Sequence, residues 1–235
     1  MENLVDRLHK GFHDVIELLG LRKTGGMDEP TTLEEEDQLA GAAPEIKKLP
    51  RVVNLLTIFS QDQGPTNECT GHSGAHTTSI MATIEKKSIR TVEGKSIIAL
   101  QIKEGTYDPA RGDYVRSTPK ALVKYGVMDN RGSVYTFGKY ELARRDKFRE
   151  LLASGHPIMT GGFIDRIMCD SEWFWKPKGR AGGHAWTICG YNDEEKYFLC
   201  INSWGDSWGM RKMKGAFKIR YEDVPRLFTS FYLIP

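Results

Sequence analysis

The chain has 235 residues, four cysteines, a formal net charge of +2 and 40% hydrophobic residues. That suffices for one domain with a substantial core, or for two lobes sharing a cleft, folding without disulfide staples. Acidic and basic residues are interspersed, so no basic stripe points to nucleic acid, and no run of about 18 apolar residues points to a membrane span.

At the N-terminus, Glu2, Asp6, Arg7, Lys10, Asp14 and Glu17 interrupt the apolar residues, so no signal peptide is expected. Leu4, Leu8, Phe12, Val15, Ile16 and Leu19 recur at spacings of three and four, which predicts an amphipathic helix over residues 2–20. Residues 24–44 are rich in Gly, Pro, Thr and acid, with Glu34-Glu35-Glu36-Asp37 as a charge run, and read as a linker. Residues 1–48 thus form an extension. It packs on the domain, docks a partner, or lies in a cleft as a short inhibitory pro-segment. A second unit, residues 49–235, begins with the extended stretch Leu49-Pro50-Arg51-Val52-Val53.

Gln63 stands six residues ahead of Cys69, and Cys69 opens a predicted helix that Thr66 or Asn67 would cap. A thiol becomes a good nucleophile when its thiolate is stabilised, and a helix N-terminus carries about half a positive charge. The Gly64-Pro65 turn lets Gln63 fold back, so that its amide and the Cys69 N–H face one developing oxyanion. Glu68 works the other way, since an adjacent carboxylate raises a thiol's pKa. His72 and His76 have a zinc-compatible spacing, but no third ligand accompanies them and a structural role is expected, as for His9 and His13. No metal and no cofactor is anticipated.

Farther along, helices are predicted over residues 96–103 and 120–125, the second capped by Ser117 or Thr118 with Pro119 at its first position. A helix is predicted over 140–153 and a strand over 157–164. Trp173, Phe174 and Trp175 either cover a core or line a cleft, the former being commoner. Strands over 186–190 and 196–201 flank the turn Asn192-Asp193-Glu194-Glu195, which brings His184 and Asn202 to one end of a hairpin. There the asparagine oxygen can fix one imidazole nitrogen while the other faces the thiol. Cys189 and Cys200 fall as cross-strand neighbours, and four cysteines without a CxxC pair suit a reducing compartment. Closing strands are expected over 215–221 and 229–234.

Three motifs in order carry a family resemblance: Gln63-x5-Cys69, then Gly183-His184-Ala185 leading to Gly190-Tyr191, then Asn202-Ser203-Trp204-Gly205-x-x-Trp208-Gly209. Over residues 49–235 the chain resembles papain-like cysteine peptidases of the bacterial and viral branches. The departures are Glu68 before the nucleophile, Thr70 after it, Thr66 where the family has a disulfide cysteine, and extra residues within 210–214. The resemblance implies an α+β fold of two lobes, helical on the left and β-rich and barrel-like on the right, with the active site in the cleft between them. It implies a thiol endopeptidase with Cys69 as nucleophile, His184 as base and acid, Asn202 orienting it and Gln63 in the oxyanion hole. Gly112, Asp113, Tyr114, Gly183 and Trp204 are the candidate substrate-binding residues, Trp204 also shielding the His184–Asn202 bond from water. A protein or peptide substrate is implied, with no nucleic acid or membrane partner, and a cytoplasmic or virion-associated location. Two other readings use the same residues: a thiol acyltransferase or deamidase, and a binding or assembly protein on a peptidase scaffold that has lost its activity.

Overall fold

The computed structural model describes residues 26–27, 46, 48–165, 167–177 and 182–235. The helix expected over 2–20 and all of the linker except Gly26 and Met27 lie outside the described residues.

The first half of the chain holds β1 (Gly26–Met27), β2 (Val52–Asn54), α1 (Cys69–Lys86), α2 (Gly94–Glu104), β3 (Asp113–Tyr114), α3 (Ser117–Tyr125) and the ribbon β4 (Val127–Met128) and β5 (Val134–Tyr135). The second half holds β6 (Lys139–Leu142), α4 (Phe148–Ala153), β7 (Ile158–Ile164), β8 (Gly182–Asn192) and β9 (Tyr197–Ile201). A short ribbon β10 (Gly209–Met210) and β11 (Met213–Lys214) leads into β12 (Ala216–Arg220), and β13 (Phe231–Ile234) closes the chain.

Helix α1 is buried almost all round, from Cys69 through Ile80. Its sequence permits this because Thr70, Gly71, Ser73, Gly74, Ala75 and Thr77 are small. A Cβ on Gly71 would come within 2.6 Å of Ile98 on α2, and one on Gly74 within 2.3 Å of Thr118 on α3. The two flanking helices therefore pack closer than larger side chains would allow. On its other side α1 is tied to the sheet: Ser73 Oγ donates to the Trp186 carbonyl at 2.8 Å, and Thr187 Oγ1 donates to the Ser73 carbonyl at 2.8 Å. These polar groups are buried and mutually satisfied, which fixes the register of helix against strand.

The main sheet is antiparallel, in the order β12-β9-β8-β7-β13-β6, with β2 on the far end of β8. Among the described residues the path runs from β12 to β6 without closing, so the right lobe is β-rich, as expected, and no closed barrel is shown. Its core gathers Trp175, Trp186, Trp204, Trp208, Phe217 and Phe198. Trp175 is in that core and Trp173 packs edge-on to Trp208 at 5.3 Å, so this aromatic run covers a core, the commoner of the two readings.

Three local expectations need correction. Residues 140–153 do not form one helix: 139–142 pair with β13, and only 148–153 are α-helical. The pairing puts Glu141 opposite Tyr232, whose hydroxyl hydrogen-bonds its carboxylate, a tertiary gain that outweighs helix propensity. Neither Thr66 nor Asn67 caps α1. Glu68 occupies the N-cap position without a side-chain cap bond, because Thr66 Oγ1 donates to the Gln63 carbonyl and Asn67 Nδ2 to the Pro109 carbonyl. Likewise α3 starts earlier, at Ser117, with Arg116 in the cap position. Cys189 and Cys200 are on adjacent strands but not opposite each other. Cys200 faces Ile188, a register shift follows at Cys189, and neither is in a disulfide.

Candidate active site

The loop into α1 is anchored before the helix begins. His76, buried one turn from His72, accepts the Gln61 N–H at 3.2 Å, while the Gln61 side chain donates to the Val92 carbonyl and accepts from Gly94 N–H. Burial lowers the His76 pKa to about 3 and that of His72 to about 4, so both rings are neutral near pH 7. Among the described residues no group of three or more His, Cys, Asp or Glu is placed to hold a metal ion.

Gln63 follows, buried, its N–H donating to the Ser203 carbonyl at 2.9 Å. Its side chain is held at both ends. Ser203 Oγ–H donates to Oε1 at 2.5 Å, and Nε2 donates to the Thr66 carbonyl at 2.6 Å. Nε2 carries two hydrogens, one of which goes to the Thr66 carbonyl. Gly64, at φ +61, makes the turn that sends the chain back towards Cys69.

Cys69 is the first residue of α1 and buried in the cluster that joins the lobes, beside Ala185 of β8. His184 is near the start of β8, fully buried, with Nε2 2.7 Å from Asn202 Oδ1. The amide orientation follows from its neighbours. The Ser203 N–H, which can only donate, points at Oδ1 at 2.8 Å, and Nδ2 points at Met168 Sδ at 3.7 Å. An amide oxygen only accepts, so His184 Nε2 carries the proton and Nδ1 is the basic nitrogen. The Trp204 ring stacks on His184 at 4.8 Å and 29°, covering the imidazole–amide bond.

Helix and strand meet at the Ser73–Trp186 bond. Cys69 is one turn before Ser73 on the helix, and His184 is two residues before Trp186 on the strand, so both flank this junction. Cys189 and Cys200 are poor nucleophiles, because burial pushes both thiol pKa values far above the ordinary range.

The remaining sequence candidates divide. Gly112 adopts φ +84 and closes the loop by exchanging backbone hydrogen bonds with Asp108. Asp113 is fully buried, its carboxylate receiving Thr106 Oγ1 and its own neighbour's N–H, each at 2.7 Å, with burial raising its pKa against those bonds. Tyr114 is 38% exposed. The backbone of Asp113 and Tyr114 pairs in parallel with Gly26 and Met27 of the chain's own extension. Gly183 pairs with Phe163 on β7. Trp204 is buried against His184 and Trp208. Sequence reading missed Ser203 as the clamp on Gln63, although it lies inside the Asn202-Ser203-Trp204-Gly205 motif, and it missed Met168, for which no local signal exists.

The Ser203 clamp has a measurable consequence. Ser203→Ala frees one end of the Gln63 amide, and turnover number is expected to fall about tenfold with KM little changed, because a loosened donor matters only where charge develops. Steady-state kinetics on a peptide substrate read this split; an unchanged turnover number would show that the clamp does not act on catalysis.

Comparison with known proteins places this geometry. Residues 59–226 match the model of the Peptidase_C39-like family. A peptidase C1-like protein of Acanthamoeba polyphaga mimivirus is 25% identical over 230 residues, covering 79% of this chain and 73% of that protein. Among solved structures, xylellain, a cysteine protease from Xylella fastidiosa, superposes with a TM-score of 0.71 at 21% identity, over 91% of this chain and 97% of that one. Digestive procathepsin L 3 of Tenebrio molitor gives a TM-score of 0.70 at 13% identity, over 100% of this chain and 94% of that one. At such identities the structural likeness is one of fold, and the fold is α+β and papain-like. With most of its length matched by the family model, the chain belongs to the Peptidase_C39-like family and is a cysteine peptidase on the papain-like fold.

Proposed function

We propose that the chain hydrolyses peptide bonds through a thioester on Cys69. His184 Nδ1 takes the thiol proton as the sulfur attacks the scissile carbonyl carbon, and returns it to the leaving amine. The Cys69 N–H and the Gln63 side-chain amide hold the oxyanion. Water, deprotonated by the same imidazole, then attacks the thioester and releases the acid. The observation that carries this reading is the His184 Nε2–Asn202 Oδ1 bond of 2.7 Å under the stacked Trp204 ring, which leaves Nδ1 as the proton-transfer nitrogen at the helix–strand junction where Cys69 begins α1. The acyltransfer and deamidation readings share this site. Hydrolysis is preferred because the family is one of peptidases.

Residues 1–48 are read as a built-in inhibitor of this site. Gly26 and Met27 occupy the backbone edge of Asp113 and Tyr114 in parallel, on the stretch expected to bind substrate main chain. Procathepsin L 3 of Tenebrio molitor, whose fold the chain shares, is itself a proform. A virion-associated location draws support from the mimivirus relative.

One mass-spectrometric experiment tests both parts. An epoxysuccinyl peptide is expected to add once, at Cys69, and not at all in His184→Ala; the labelling rate should rise as fragments of residues 1–48 leave the chain. An adduct on another cysteine would overturn the assignment of the nucleophile. Full labelling with an intact N-terminus would overturn the inhibitor reading alone.

A further inference from the structure

Glu68 and His72 flank the proposed nucleophile, and the reading of Cys69 leaves both unused. Glu68 Oε2 and His72 Nε2 are 3.8 Å apart, with side chains 16% and 5% exposed. Among the described residues neither that oxygen nor either ring nitrogen has a hydrogen-bond partner. Buried donors and acceptors left unmade are costly, and here a carboxylate oxygen and an imidazole N–H each lack what the other offers. The ring cannot retreat, because a Cβ added to Gly94 would lie 2.6 Å from three of its atoms. Closing the gap therefore falls to the flexible Glu68 side chain.

The charges around the pair come from several elements. Asp62, in the loop before α1, favours the protonated ring, while burial and Lys95 of α2 disfavour it, with the net result that the His72 pKa falls to about 4. His76, one turn on, is neutral as well. The Tyr107 phenol, from the loop after α2, has its pKa raised by burial first, then by the charges of Glu68 and Cys69, and then by those of Asp108 and Asp113. Glu68 thus faces a neutral imidazole on one side and the nucleophile's neighbourhood on the other. With 3.6 residues per turn, positions 68 and 72 share one line along the helix, and position 69 lies about 100° round from it.

We propose that His72 is a positioning residue for the nucleophile: once the Glu68 side chain closes the 3.8 Å gap, the ring N–H holds its carboxylate along the helix and away from the Cys69 sulfur. The inference rests on Cys69 being the nucleophile, and it accounts for how a cysteine peptidase tolerates a carboxylate next to its thiol. A like charge swung towards the sulfur would oppose the thiolate. The neutral ring prevents this without adding a charge of its own.

The test is the pH dependence of alkylation by iodoacetamide on the full chain, read by peptide mapping at Cys69. His72→Met keeps the bulk against Gly94 but has no donor, and its reactivity limb is expected to move about one pH unit upward. His72→Gln retains a donor and should stay with the unaltered chain. Adding Glu68→Gln to His72→Met should bring the limb back, a coupling that a packing role would not produce. Glu68→Asp, too short to reach the ring, tests the same point without touching His72 and should also move the limb up. An unmoved limb in His72→Met or Glu68→Asp overturns the proposal, as does a shift that Glu68→Gln fails to reverse. If the unaltered Cys69 alkylates no faster at pH 6 than glutathione even after residues 1–48 have been cleaved from the chain, the nucleophile assignment itself fails, and this inference with it.

Discussion

Replacing Cys69 with alanine is expected to abolish peptide hydrolysis while leaving the fold in place. Loss of a nucleophile that works as a unit with its base costs about 10⁶-fold in turnover number, and the residue left behind is only what binding and the oxyanion donors supply. The structural cost is small by comparison. Cys69 is buried among Ala75, Val115, Met159 and Ala185 of the joining cluster, and alanine keeps its Cβ, so only one sulfur atom's packing is lost. Deleting an atom of that size from a core costs about 1 kcal/mol. Thermal unfolding should therefore shift by a few degrees at most. Alanine at Cys200 gives the converse result. Its thiol is buried in the tryptophan-rich core with a raised pKa, so stability falls and activity persists. Turnover surviving in Cys69→Ala would remove the mechanism altogether.

What could be read in advance of the candidate site, Cys69 opening a helix and His184 meeting Asn202, sits where local signals are strong. Gln63 and Cys69 lie across a Gly-Pro turn, His184 and Asn202 stand at the open end of a hairpin whose turn is written in Asn192-Asp193-Glu194-Glu195, and both tryptophans of the last motif recur at fixed offsets. These patterns act over fewer than about twenty residues, His184 and Asn202 being 18 apart. What escaped depends on partners far away in the chain. Residues 140–142 carry helix formers, yet β13, about ninety positions downstream, draws them into a strand. Thr66 and Asn67 have the right chemistry for a cap, but the Gln63 and Pro109 carbonyls claim them first. Met168, beneath Asn202, comes from a stretch with no periodicity at all.

His184→Ala and Asn202→Ala should separate proton transfer from orientation. Removing the imidazole takes away base and acid together and leaves the nucleophile without the partner it works with, so the loss should approach that of Cys69→Ala, about 10⁶-fold. Asn202→Ala is expected to cost less, roughly 10-fold to 100-fold, because the stacked Trp204 ring still confines the imidazole plane after the amide has gone. Asn202→Asp adds a directional test. The carboxylate keeps an acceptor for His184 Nε2 and for the Ser203 N–H, and it places a negative charge against the ring. That charge stabilises the imidazolium and raises its pKa, so the acid limb of turnover, below which the ring is already protonated and cannot take the thiol proton, should move to higher pH. Alanine has no such charge and should lower the rate without moving that limb upward. Equal losses in all three variants, with coincident pH profiles, would mean that Asn202 supports the sheet end and does not orient the base.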